Sequence, residues 1–598
     1  MQYFQNNSPG GVFTFDNIFT SQNVSSSGSS GHPLASFELG YMATNTSQTV
    51  QAAPPTYQTQ YYQGYFVQDT WQATNKLTLS LGLRYEIPGV FVSRQGWADT
   101  FNPTETNPIV GIPGAFDLVS SSQHPAAGVR NENWNNWSPR VGAAYRINGE
   151  TVVRGAWGKF YVPADLQFPE APLQAGVNFL NNLAVNSINN QQTPADTFDN
   201  PYPNGLQGAP HRNANYQQVL LGGNAQALYA NEPNGQTQQW NFAIERQFPL
   251  GITLDAAYAG LRGRNLPVSI GINPLPDSVL AQAATQCPQG PSGCFLNDQV
   301  ANPYYPLITQ GVLRNPTVTR NQLLRPFPQY GSIGNSGHYI GISNYHSLEM
   351  KLQKRTSNGG MFLGSYTFSK LMTNAEYLTS WLDATGTAGW QDLNDPMSNY
   401  SMSSFDARQR LVVSYLYPLP IGKGQALLPH LNGAANAVIG GWGVNGITTF
   451  QMGFPLGISS SPNNLSNFAF QGNQRPDVVQ GCTKTTSGDM MKRIGGAGAS
   501  TYLNTACFVA PANFKFGNES RTDNALRGPG TANWDLSLFK DVTIHENMVL
   551  DLRVESFNVF NRVQFSNPDL TRGSGTFGVI ATQANNPRAL QLSGRFSF

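Results

Sequence analysis

Apolar residues recur at every second position along much of this 598-residue chain, and the links between these segments are alternately short and long. Side chains alternate faces along a strand, whereas a helix repeats every 3.6 residues. Leu77, Leu79, Leu81, Leu83 and Tyr85 share one face, and Thr78, Ser80, Gly82, Arg84 and Glu86 take the other. Met548, Leu550, Leu552 and Val554 oppose Asp551, Arg553 and Glu555, and Leu590, Leu592, Gly594, Phe596 and Phe598 oppose Gln591, Ser593, Arg595 and Ser597. Trp240, Phe242 and Ile244, and again Leu348, Met350 and Leu352, repeat the pattern. It predicts hairpins that pair residues 61–71 with 76–86, 141–147 with 151–161, 237–248 with 252–260, 345–354 with 362–369, 411–417 with 442–450 and 533–540 with 548–560, then a last strand ending at Phe598. Asn148-Gly149 predicts a type I′ turn.

The links between hairpins run over roughly 87–137, 162–236, 264–344, 370–405, 451–532 and 561–588. Loops in compact domains run to about 4–6 residues, and long structureless ones count against an ordinary soluble fold. A transmembrane β-barrel has short turns on the periplasmic side, long loops outside and strands of about 9–11 residues. An early strand near residues 12–19 running outward brings the tally to about 14, an even number as bacterial barrels require. Lipid offers no hydrogen-bond partner to an open sheet edge, so a spanning sheet closes on itself. Its outer face is then apolar, while Arg84, Glu86, Asp551, Arg553, Glu555 and Arg595 face the lumen. A soluble sandwich or propeller explains the alternation but not the loop rhythm, and no propeller repeat of about 40–45 residues is present.

Composition agrees. The 35 basic and 34 acidic residues make 12% of the chain, against about 25% in an ordinary soluble domain. Hydrophobic residues reach only 40%, because every second strand residue faces a polar lumen and the long loops are polar. A net charge of +1 gives no nucleic-acid surface. A membrane helix needs about 20 consecutive apolar residues, and no such run exists. Tyr and Trp cluster near strand ends, as interfacial girdles do.

The four cysteines form two candidate pairs, Cys287 with Cys294 and Cys482 with Cys507. Neither has Cys-x-x-Cys spacing and no histidine stands nearby as a metal ligand, so loop-stapling disulfides in an oxidising compartment are expected. No enzyme, metal or cofactor is expected. The seven histidines are scattered, no nucleophile elbow joins a strand to a helix, and the glycine run at 495–498 lacks the Lys-Ser/Thr of a phosphate loop. Trp97, Trp134, Trp137, Tyr304, Tyr305, Trp381 and Trp390 fall in or beside the long loops, where they either stack on sugar rings of a ligand or pack the loops together. Residues 1–7 carry no basic and apolar leader, so the chain is expected to lack its true N-terminus.

Several segments resemble TonB-dependent outer-membrane receptors. Tyr65-Phe66-Val67-Gln68-Asp69-Thr70-Trp71 followed by residues 77–86 is similar to a barrel hairpin of that family, as are residues 137–145, Phe405-Asp406-Ala407-Arg408-Gln409-Arg410-Leu411 and residues 555–561. The Oar-like subgroup, with large exterior loops, is the nearest. Gly594, Arg595, Phe596 and Phe598 resemble the C-terminal signal read by the barrel-assembly machinery. The resemblance implies an outer-membrane barrel that touches lipid and the assembly machinery, and uptake of a bulky nutrient such as a siderophore or glycan. Surface adhesion or export, or a passive porin-like channel, are the alternatives. Complete members carry a signal peptide, often a regulatory-like domain, a plug that contacts TonB, and 22 strands. This chain shows only the barrel, so residues 1–598 are expected to be one partial barrel domain, reaching TonB only through the missing plug.

Overall fold

The computed structural model describes the chain except residues 1, 4–10, 23–29, 44–47, 52–55, 95, 163–179, 184–186, 189–192, 195–196, 202–211, 213–215, 309–310, 376–388, 496–499 and 546–547. Its frame is one long sheet in which 13 strands follow each other in chain order. They are β1 (Tyr62–Gln72), β2 (Leu77–Pro88), β3 (Trp137–Arg146), β4 (Thr151–Val162), β5 (Gly235–Phe248), β6 (Ile252–Gly271), β7 (Ile333–Arg355), β8 (Met361–Thr373), β9 (Gln409–Pro418), β10 (Trp442–Gln451), β11 (Thr531–His545), β12 (Met548–Phe557) and β13 (Ala589–Ser597). Each neighbouring pair is antiparallel, so the short turns lie at one end of the sheet, together with the longer β9–β10 link over 419–441, and the longest loops lie at the other.

Register keeps the two faces distinct. Across the ladder, Trp71, Leu79, Ala143, Gly155, Phe242, Tyr258, Leu348 and Phe368 form one continuous row. Val444, Leu538, Val554 and Leu592 form another row on that same face. Most large apolar side chains there are exposed. The opposite face carries Glu245, Asp255, Lys351 and Ser365 in register, and places Arg84 on Glu86 at 2.6 Å, Arg154 on Glu245 at 3.2 Å and Arg553 on Asp551 at 2.8 Å. A one-residue slip would exchange these faces, so the apolar row sets the register.

The buried core lies in the loops, not against the sheet. One cluster joins Phe101, Phe116, Tyr216, Leu221, Ile308, Leu313 and Tyr330 from the β2–β3, β4–β5 and β6–β7 links. A second packs Leu275, Leu280 and Leu296 against Leu465, Ala469 and Phe514, and a third packs Leu456, Ile458, Leu503 and Phe508 against Ile580. Five of the long links, β2–β3, β4–β5, β6–β7, β10–β11 and β12–β13, therefore share each other's hydrophobic surface along the top of the sheet.

Four expectations change. Residues 12–19 form no strand, and among the described residues the ladder has 13 strands. Their apolar side chains pack elsewhere, Phe13 on Phe198 of the β4–β5 link at 5.1 Å and Phe15 on Phe37 at 5.1 Å, and the Ser21 amide turns back onto the Ile18 carbonyl. Among the described residues β1 pairs only with β2 and β13 only with β12, so closure is not seen. The Asn148-Gly149 turn is not type I′, since neither residue has positive φ. There the Asn148 side chain accepts the Glu150 amide and the Ile147 amide donates to Thr151.

Last, β6 and β7 are 20 and 23 residues long and run well past the predicted 252–260 and 345–354. At about 3.3 Å per residue β7 reaches on the order of 75 Å, more than twice a hydrocarbon core of about 30 Å. Three register shifts between Arg264 and Ile270 break the period-two signal, and Asn265 adopts φ 52° among them. The extension ends among the loop cores, where Val268, Ile333 and Tyr339 are buried.

The two faces generate a direct test. Leu81→Arg puts charge on the apolar face and should lower unfolding stability in lipid vesicles by about 2–4 kcal/mol. Ser80→Arg, one residue away on the polar face, should change the same urea midpoint little.

Candidate functional site

The loop layer is the candidate site of this chain, because loops held on a rigid frame commonly carry function. It is stapled as well as packed. Cys287 is bonded to Cys294, with Cα atoms 5.2 Å apart, and Cys482 to Cys507, with Cα atoms 5.5 Å apart. The first pair caps the helix Asp277–Gln286 within the second core, and the second lies in the third core. Beside Cys482, Lys484 bridges Glu519 at 2.6 Å and also Asp523.

A polar seam joins the β8–β9 and β10–β11 links. The Gln391 amide donates to the Gly517 carbonyl and its oxygen accepts the Arg475 and Gly517 amides. Arg521 donates to the carbonyls of Asn399 and Thr373. Arg527 reaches the Asp406 carboxylate at 2.5 Å and the carbonyls of Asp406 and Gly453, while the other Asp406 oxygen accepts the Leu371 amide at 2.8 Å. Buried cations survive only when hydrogen-bonded. Burial pushes the Arg475 guanidinium down to about 10, and likewise that of Arg325, which lies over the Phe470 ring. Asp406 sits in the motif that resembles the receptor family, but its partner Arg527 is 121 residues away. Spacing alone did not reveal that pair.

Asp99 is a different case. It is fully buried on the strand Asp99–Thr106 of the β2–β3 link, and among the described residues neither carboxylate oxygen has a hydrogen-bond partner. Burial, then the nearby Asp117 charge, raises it well above the usual carboxylate range. Among the described residues no group of three or more His, Cys, Asp or Glu side chains is placed to hold a metal ion.

The aromatic residues singled out by sequence do not converge. Trp390 is buried and donates its indole N–H to the Asn374 carbonyl at 2.9 Å. Trp97 is half-buried, and Tyr304 packs against the first core. Tyr305, on the same turn as Tyr304, is exposed. Trp381 lies outside the described residues. Trp137 opens β3 with its ring 4.3 Å from Tyr85, and the Tyr85 hydroxyl donates to the carbonyl of exposed Trp134. Gly594, Arg595, Phe596 and Phe598 lie on or just past β13, whose outer edge is unpaired among the described residues and whose residues are all exposed.

An antiparallel ladder with one apolar face, one ion-paired face and long loops at one end is the wall of a membrane β-barrel. More particularly, the chain belongs to the outer membrane beta barrel domain family, whose model matches residues 1–591, and its place is the bacterial outer membrane. The chain is also similar to parts of solved outer-membrane proteins. These include the pyoverdine outer membrane receptor FpvA of Pseudomonas aeruginosa bound to pyoverdine (10% identity, 91% of this chain and 43% of that one, TM-score 0.38). The outer membrane transporter YddB of Escherichia coli (8%, 91% and 55%, 0.39) is another. A third is the ferric yersiniabactin uptake receptor FyuA of Yersinia pestis (8%, 92% and 46%, 0.35). This chain spans about half the length of these proteins. No curated protein matches it by sequence.

Two tests follow from the buried charges. Asp406→Leu strands Arg527 in the seam and should cost about 3–5 kcal/mol, whereas Asp406→Leu with Arg527→Met should recover most of it. Protease resistance of the loop layer reads both. For Asp99, the folded protein holds the proton more tightly than the unfolded chain. Stability is therefore highest below the unfolded pKa of about 4 and falls as pH rises toward the folded value. Asp99→Asn should flatten that decline in thermal melts followed from pH 4 to 8, and an unchanged slope would refute the assignment.

Proposed function

We propose that this chain is the barrel region of a TonB-dependent receptor-like transporter of the Oar-like kind, which imports a bulky nutrient such as a siderophore or glycan. The observation that carries the reading is the direction of the two edge strands. β1 and β13 both run toward the short-turn end, so a closed antiparallel barrel needs an odd number of further strands between them. A 14-strand porin would have drawn its extra strand from residues 12–19, which pack elsewhere. A wider barrel suits a gated receptor, whose lumen houses a plug through which TonB acts.

The whole of 1–598 then forms one barrel domain with its exterior loops. The apolar row faces lipid, the disulfides hold loops exposed to an oxidising exterior, and the assembly machinery reads Gly594, Arg595, Phe596 and Phe598 on the free edge of β13. Loops with their own buried cores present a fixed surface to a ligand. The same surface serves adhesion if nothing is imported.

Deletion of the gene should abolish growth on at least one member of a panel of iron chelates and oligosaccharides, and loss of TonB should reproduce the defect. TonB-independent growth with open-pore conductance in planar bilayers would instead mark a passive channel. Unchanged growth with lost surface attachment would mark an adhesin. Removal of Phe598 should deplete the heat-modifiable folded band on detergent gels.

A further inference from the structure

We propose that the cleft between residues 131–135 and 231–233, on the outer rim of the barrel, binds a neutral sugar ring. The cleft has a volume of about 550 Å³ and stands over the outer ends of β3 to β5. Trp134 is 56% exposed, although its carbonyl is fixed by the Tyr85 hydroxyl. A pyranose has a C–H face that packs on an aromatic ring and a rim of hydroxyls that both donate and accept. Amide side chains match that rim, because each carries two donors and an acceptor.

The amides are available and their frame is rigid. Asn135 makes no side-chain hydrogen bond among the described residues, and its backbone amide donates to the Asn133 oxygen. Asn131 donates to Asn231 at 2.7 Å, which leaves the Asn131 oxygen and the Asn231 nitrogen free among the described residues. Beneath them, buried Asn136 donates to the carbonyls of Glu86 and Asn133, and Asn234 donates to Asn136. The Asn131 amide is tied to the Ala230 carbonyl, and Glu232 is held by His338 at 2.7 Å and by the Tyr339 amide. A surface already ordered before binding loses little entropy on contact.

Charge narrows the ligand class. No lysine or arginine lines the cleft, while Glu132 and Glu232 do. Phosphates, carboxylates and anionic iron chelates find no counter-ion there. The site therefore selects uncharged saccharide, either a free oligosaccharide or the glycan of a surface glycolipid. This assignment depends on the outer-membrane placement of the rim and not on transport through the barrel.

The full chain, folded in detergent micelles, is titrated with maltohexaose, cellohexaose and chitohexaose by calorimetry and tryptophan fluorescence. A parallel arm uses liposomes carrying lipopolysaccharide. Binding in either arm supports the site, and the arm that binds identifies the source. Trp134→Ala should weaken that binding about tenfold, Trp134→Tyr should retain most of it, and Asn135→Ala should weaken it by about threefold to fivefold. Heat-modifiable mobility confirms that each variant is folded. Absence of binding in both arms, or wild-type affinity in folded Trp134→Ala, overturns the proposal.

Discussion

Everything in this structure follows from the rule that a backbone inside lipid must find all its hydrogen bonds in protein. The 13-strand ladder meets that rule along its inner strands, each paired on both sides with its chain neighbours, while β1 and β13 each keep one edge unpaired among the described residues. Pairing fixes the strand direction, direction sends short and long links to opposite ends, and the period of two sends apolar side chains outward. The sheet thereby gives up what stabilises a soluble domain, since its apolar face meets lipid and its other face is polar. A hydrophobic core must then form elsewhere, and it forms in the exterior links.

That division explains what was legible beforehand. Strand identity, face assignment and loop rhythm were legible because each depends on residues two apart or on the length of a link. Leu77 to Tyr85 and Met548 to Val554 needed no tertiary information. The outer thirds of β6 and β7 were not legible, because three register shifts interrupt the alternation and the residues there answer to loop cores. Residues 12–19 have strand-like composition, yet Phe13 and Phe15 find ring partners nearby and never join the ladder. The loop tryptophans were indistinguishable by type. Trp390 is buried because its indole reaches Asn374, and Trp134 is exposed because a neighbouring asparagine frame holds the backbone beneath it. Partners 121 residues apart, as Asp406 and Arg527 are, leave no trace in local spacing.

The loop layer uses two kinds of adhesive, and they do different work. Apolar clusters give non-directional stability, and they tolerate substitutions that conserve volume. The arginine seam is directional: each buried guanidinium demands acceptors at fixed positions, and Arg521 and Arg527 take backbone carbonyls on segments far away in sequence. Such groups contribute little net stability when desolvation is counted, but they penalise every alternative docking of the links. The links are long and rich in Gly, Asn and Ser, so many dockings of similar hydrophobic burial exist. A seam that fits only one of them selects the native arrangement.

The same reasoning separates two surfaces of the molecule that composition alone would treat alike. Both the lumen wall and the outer rim are polar. On the inward face the charges pair with each other, Arg84 with Glu86 and Arg553 with Asp551, so each of these charges is screened by its neighbour. On the rim the polar groups are amides, and several point outward while their neighbours hold the backbone. Paired ions resist capture of a ligand because a partner must first be displaced. Unpaired amides beside an exposed indole have only water to exchange. Of the two surfaces, the rim therefore has the polar groups that a ligand would reach without displacing a protein partner.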